Sequence, residues 1–360
     1  MLDIRADYHP KANLRSCASL HSLARIFPIV PTSRLRSPMS SAYAYSADIP
    51  VSEPTPIIAF SPLSLEVPGR PVPLELKVSA PVSGTGLPVI LLSHGHGGAN
   101  HLSSLRGYGP VADFWAAHGF VVIQPTHLDS TVLGLRETDL PDAPLFWRDR
   151  AADIRTVIDR LAEIEAAVPG LGGRVDRERI GAVGHSLGGH TVSLLLGMQV
   201  LDPSDDRQKD LSDPRIRAGV IIGAPGIGDE HLADWARTNY PMLGFNDFGS
   251  MTGTALVIAG DKDLNLNFSD RLSYRSDAYT HSPEGNKTLL MFRGAEHIYG
   301  GVSGYDAAET SDENPERVAT LRALVWAYLR SQLFPGDASW ANAVAALESA
   351  DAPLATVENR

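Results

Sequence analysis

Short, almost continuous apolar runs recur at wide spacing along the chain, at Val89–Leu92, Phe120–Ile123, Ile180–Val183, Val220–Ile222, Ala255–Ala259 and Leu289–Phe292. Such runs suit parallel strands covered on both faces, where every side chain meets apolar neighbours. Leu74–Val78 alternates apolar and polar positions instead, which predicts an antiparallel strand with one exposed face. Between the runs the period lengthens. Within Asp149–Val168 the residues Ile154, Val157, Ile158, Leu161 and Ile164 fall on one helical face. A second helix is predicted from Asn314, as a cap, and Pro315, at the first helical position, to about Leu333. Strands alternating with helices predict an α/β fold, a mostly parallel central sheet with helices on both faces.

The first 55 residues carry no such period. Over Met1–Met39, Arg5, Lys11, Arg15, Arg25, Arg34 and Arg36 stand against Asp3 and Asp7, among many serines. The pattern predicts a disordered extension over residues 1–55, with a faint organellar-transit composition over its first 38. Arg25 and Pro28 interrupt Leu20–Val30, the one apolar stretch placed to act as a secretory signal, so the expected location is cytoplasmic. One catalytic domain is predicted over residues 56–335, followed by a C-terminal helix and tail over 336–360. No apolar run approaches the roughly 18 residues of a membrane span. The net charge of −11 argues against a nucleic-acid or anionic-membrane surface. The single cysteine, Cys17, excludes an internal disulfide framework and a thiolate metal cluster.

In a parallel sheet, reactive groups belong just past the carboxyl ends of the strands. The Ile180–Val183 run leads into Gly184-His185-Ser186-Leu187-Gly188-Gly189 and then an apolar helical stretch. A G-x-S-x-G between strand and helix makes a sharp turn with the serine oxygen at its apex. Val89–Leu92 leads into Ser93-His94-Gly95-His96-Gly97-Gly98, a turn able to present backbone N–H groups to an oxyanion. The expected donors are the amides of His96 and Leu187. A zinc site on His94, His96 and His101 is disfavoured, because Gly98 and Ala99 stand where the H-x-H-x-D-H pattern needs Asp and His. The phosphate-loop patterns also fail there, and neither metal nor cofactor is expected. Leu289–Phe292 leads into Arg293-Gly294-Ala295-Glu296-His297, which makes His297 the candidate general base. Ala255–Ala259 leads into Gly260-Asp261-Lys262-Asp263, where two aspartates compete to orient that histidine.

Taken together, His94-Gly95-His96-Gly97-Gly98, the Asp149–Leu161 helix, Arg179 to Ser186 and Gly294-Ala295-Glu296-His297 resemble the α/β-hydrolase superfamily over residues 56–333. Within it the chain looks like the dienelactone-hydrolase-like group, near chlorophyllases and platelet-activating-factor acetylhydrolases. The resemblance implies the α/β-hydrolase fold, and its G-x-x-D turn assigns the triad acid to Asp263. Ser186 stands where dienelactone hydrolases carry cysteine, and an aspartate nucleophile is likewise excluded. The exit Gly223-Ala224-Pro225 lacks the acid that the acetylhydrolase branch places there.

The expected activity is that of a serine carboxylic-ester hydrolase on a small-molecule ester, through an acyl-enzyme and a triad of Ser186, His297 and Asp263. Thioesterase, amidase, acyltransferase or perhydrolase use of the same triad, and a non-catalytic binding module, are the alternatives. Ile227–Met251 is a candidate lid. His127, Trp147, Trp235, Phe245 and Phe248 are candidate pocket residues. The acidic stretch from Asp202 to Asp213 is read as a solvated surface turn, and the pattern specifies no oligomeric state.

Overall fold

The apolar runs become the middle of one nine-stranded sheet. The structure, a computed structural model, describes residues 48–360 except residue 306. In chain order the elements begin with β1 (Ile57–Leu65), β2 (Leu74–Pro81), β3 (Leu87–Ser93), α1 (Gly109–Ala117), β4 (Val121–Pro125), α2 (Trp147–Asp159) and α3 (Leu161–Ala167). There follow β5 (Val175–His185), α4 (Leu187–Leu195), β6 (Gln199–Asp202), β7 (Arg207–Asp210), β8 (Ile216–Ile222), α5 (Asp234–Asn239) and β9 (Asn246–Asp247). The last are β10 (Ala255–Gly260), α6 (Asp277–Thr280), β11 (Lys287–Phe292), α7 (Pro315–Leu333), α8 (Ser339–Ser349) and β12 (Ala355–Asn359).

The large sheet has the order β1-β2-β4-β3-β5-β8-β10-β11-β12. From β4 to β11 neighbouring strands run parallel, whereas β1, β2 and β12 pair antiparallel. Alternation along each strand divides the core in two. Val89, Leu91, Ala182, Ile221 and Val257 face the layer of α2, α3 and α4. Ile90, Leu92, Val183, Val220 and Leu256 face the layer of α1, α7 and α8. Successive strand side chains point to opposite faces, so a strand covered on both sides must be apolar throughout. Each fully buried aliphatic side chain contributes roughly 1.5–3 kcal/mol. The polar start of α7 is closed by Asn314, whose side chain accepts the Arg317 N–H at 2.9 Å.

Several expectations change. The helix predicted over Asp149–Val168 is two helices, α2 and α3, broken at Arg160, whose guanidinium binds Glu66 O and Glu163. The apolar face continues across the break, so the period alone does not reveal it. Residues 336–360 are not a tail outside the domain: α8 packs on α7, and β12 is the edge strand of the same sheet on β11. The predicted disorder over 1–55 falls for residues 1–47 outside the described residues. Residues 48–55 are held, with Thr55 N–H donating to Ala117 O at 2.8 Å and Ile49 packed against the second core layer. The acidic stretch is a hairpin of β6 and β7, joined by β9 into a small three-stranded sheet. Asp202 is buried there and pairs with Arg148 and Lys209. No helix among the described residues is long and apolar enough to cross a membrane.

Candidate active site

The carboxyl ends of β3, β5, β10 and β11 converge, and the loops beyond them build the site. Between β5 and α4, Ser186 has φ 56° and ψ −121°, a left-handed φ that costs a non-glycine residue energy and holds only under the surrounding packing. That packing needs glycine beside it: a Cβ on Gly188 would lie 2.0 Å from Ser93 O. The bare backbone thus lets the first turn of α4 rest against the end of β3, which sets the His94–Gly98 turn beside the serine.

Ser186 Oγ lies 2.9 Å from His297 Nε2. On the other side of the ring, His297 Nδ1 donates to Asp263, at 2.9 Å from Oδ2 and 3.0 Å from Oδ1. The Arg275 Nε donates to Asp263 Oδ1 at 3.2 Å. Burial works to raise the Asp263 pKa, but His297 and Arg275 outweigh it and hold the carboxyl below the usual carboxylate range. The His297 side chain remains 32% exposed, open to the cavity. Asp261 turns away from the imidazole and accepts the Gly294 N–H at 2.6 Å.

A second chain of hydrogen bonds ties the turn after β3 to the histidine loop. His185 Nε2 donates to His297 O at 2.7 Å. Burial lowers the His185 pKa to about 3, so the ring is neutral and its Nδ1 accepts from the Tyr108 hydroxyl at 2.9 Å. Tyr108 in turn accepts the Gly95 N–H at 2.9 Å. The amides of His96 and Leu187 have no protein acceptor among the described residues, and both residues line the cavity.

Beneath this turn lies a buried ionic network that no motif announces. The Arg150 guanidinium, wholly buried, donates to Asp129 Oδ1, to His94 O and to Ser93 Oγ, and its Nε donates to Thr191 Oγ1 at 2.9 Å. Asp129 also accepts from His96 Nδ1 at 2.8 Å. Burial lowers the His96 pKa despite that carboxylate. His94 donates from Nδ1 to Gly95 O and accepts the His127 N–H at Nε2, so both its ring nitrogens are committed within the protein. Among the described residues no group of three or more His, Cys, Asp or Glu side chains is arranged to hold a metal ion.

The cavity at Ser186 has a volume of about 250 Å³. Leu102, Leu145, Leu243, Tyr240 and Phe268 give it apolar walls, and Trp235 is the one predicted pocket residue that lines it. The other four lie elsewhere. His127 is fully buried and donates to Asp153, and Trp147 belongs to the core under the sheet. Phe248 is also core, because the candidate lid folds its apolar residues inward. Phe245 is 50% exposed and borders a separate groove beside Leu201 and Gln208. Within Ile227–Met251, then, only Trp235, Tyr240 and Leu243 reach the site. Arg275 and Glu309, which also line it, carry no signal in the sequence: each is a charged residue outside any motif.

No family model matches the chain, and a search of the curated proteins finds no match.

Proposed function

We propose that this protein is a serine carboxylic-ester hydrolase of the α/β-hydrolase fold, acting through an acyl-enzyme. The observation that carries the reading is the continuous relay from Ser186 Oγ through His297 to Asp263, with both hydrogen bonds at 2.9 Å, at the wall of an apolar cavity. In the proposed reaction His297 Nε2 takes the hydroxyl proton as Ser186 Oγ attacks the ester carbonyl. Asp263, kept ionised by His297 and Arg275, fixes the Nδ1–H tautomer and stabilises the imidazolium that forms. The uncommitted His96 and Leu187 amides are assigned to the tetrahedral oxyanion, each worth about 10²–10³ in rate. The imidazolium then returns its proton to the departing alkoxide. Water, activated by the same histidine, attacks the acyl-serine and releases the acid.

The apolar walls suit an acyl chain, and ester groups need no metal for this route. The test is direct: purified protein should hydrolyse p-nitrophenyl esters and be labelled at Ser186 by a fluorophosphonate. Protein that does neither, or that prefers thioesters or amides, would overturn the assignment to carboxylic esters.

A further inference from the structure

The cavity wall contains a side-chain oxygen with no hydrogen-bond partner among the described residues. Glu309 lies on the segment between the His297 loop and α7, and it faces the turn that follows β3. Its Oε1 accepts the Ala99 N–H at 2.7 Å. Its Oε2 is buried and has no hydrogen-bond partner among the described residues. The position is confined by its neighbours: a Cβ on Gly97 would lie 2.8 Å from Oε1, so the bare turn makes room for the carboxylate. A buried carboxylate oxygen is strongly unfavourable unless something donates to it, and Glu309 is a lining residue of the cavity that holds Ser186.

We propose that Glu309 is a specificity residue that accepts a hydrogen bond from an N–H or O–H group on the substrate, so that the preferred esters are hydroxy- or ammonium-substituted. The inference rests on the esterase reading and narrows its substrate class. A site with a buried acceptor discriminates against a ligand that lacks the donor far more strongly than an apolar wall discriminates between chain lengths, because the acceptor is left unpaired. Leu102, Leu145, Leu243 and Phe268 give the wall its apolar part, and Glu309 is the one carboxylate among the described lining residues, placed to distinguish a hydroxyl from a methoxy group of similar size. The same chemistry would be met by an alcohol or by an amine, and the two sources are separable by charge.

The experiment compares matched esters on the full chain. One series carries the variable group on the acyl side, as p-nitrophenyl butyrates with 3-hydroxy, 3-ammonio or 3-methoxy substituents. The other carries it on the alcohol side, as butyrates of ethylene glycol, ethanolamine and 2-methoxyethanol. In at least one series the wild type should favour a donor-bearing ester over its methoxy partner by tenfold or more in kcat/KM. A preference confined to the ammonio ester assigns a cation, and one shared with the hydroxy ester assigns a neutral donor. In Glu309→Gln the amide oxygen stays with the Ala99 N–H and the amide nitrogen takes the free position, so the ratio should fall to about one or invert. Ratios near one in both series of the wild type, or a preference that survives in Glu309→Gln, overturn the proposal. Titrating the same esters into Ser186→Ala reads the preference as affinity without turnover, and flat affinities overturn it whatever the activity. Turnover that persists in Ser186→Ala instead overturns the esterase reading, with the substituent ratio still reporting on Glu309.

Discussion

Two relays in this molecule have the same chemical order and almost the same dimensions. In one, Ser186 meets His297 at 2.9 Å and His297 meets Asp263 at 2.9 Å. In the other, Ser93 meets His127 at 3.0 Å and His127 meets Asp153 at 2.9 Å. Distances and residue types do not tell them apart. Surroundings do. Ser93 ends a regular strand, is fully buried, and accepts a further hydrogen bond from Arg150. Ser186 sits on a strained turn at a cavity wall beside two uncommitted amides. The acids are also shifted in opposite directions. Burial raises Asp153 to about 6 against the pull of Arg70, whereas His297 and Arg275 overcome burial at Asp263 and keep it low. Burial also holds His127 neutral, well below the usual histidine range. The sealed relay is suited to fixing the end of β3 beneath the His94–Gly98 turn. The open one is suited to moving a proton.

The sharpest break between them is at the two serines. Ser186→Ala should lower ester turnover by about 10⁴–10⁶-fold and abolish fluorophosphonate labelling. Ser93→Ala should still be labelled. Label on Ser186→Ala, or its loss from Ser93→Ala, would exchange the roles assigned to the two relays.

Next comes the acid of the open relay. Asp263→Asn offers an amide N–H to His297 Nδ1 and so favours the wrong tautomer. The expected loss in kcat is about 10⁴-fold in a folded protein, checked by steady-state kinetics alongside circular dichroism. A loss below tenfold would mean that Asp263 holds the loop and does not orient the ring.

The acid of the sealed relay should speak through stability. An aspartate titrates near about 4 in an unfolded chain, and Asp153 titrates at about 6 in the folded one. The folded state therefore holds this proton more tightly, so the group's contribution is complete below about pH 4 and is lost as the pH rises through 6. Asn cannot titrate. The stability of Asp153→Asn relative to wild type should improve by about 2 kcal/mol between pH 4 and pH 7, read by urea denaturation at both values. A difference independent of pH would show that Asp153 is ionised throughout, like Asp263.

The same contrast explains what was legible in the sequence. The parallel strands announce themselves because both faces are covered, and the Ser186 turn does so because close backbone approach demands glycine at fixed positions. The sequence offers His127 and Trp147 as pocket residues because a histidine and an aromatic after a strand look alike whether packing turns them into the cavity or under the sheet. The Asp129–Arg150 pair, Arg275 and Glu309 are charged residues, whose types favour the surface. Only the tertiary fold brings each to a buried partner or a cavity. β12 escaped for a related reason: Ala355–Asn359 is an edge strand whose Thr356, Glu358 and Asn359 carry no apolar run.

The smallest effect separates the neighbouring aspartates. Asp261 and Asp263 lie on one turn, and spacing alone leaves both within reach of an imidazole. Their hydrogen bonds divide the work. Asp261 is exposed and caps the histidine loop from outside, accepting the Gly294 N–H at 2.6 Å, while its own N–H donates to Phe292 O at 3.0 Å. Asn at position 261 presents an amide oxygen to the same Gly294 N–H. It converts a charge-assisted bond into a neutral one without removing it. The His297 ring keeps Asp263, itself held by Arg275, and its own loop contacts, so neither its tautomer nor its position depends on the charge at 261. Asp261→Asn should therefore lower kcat by less than about tenfold and leave the shape of the pH–rate profile unchanged. A loss matching that of Asp263→Asn would show that the turn exchanges its two carboxylates at the imidazole in solution.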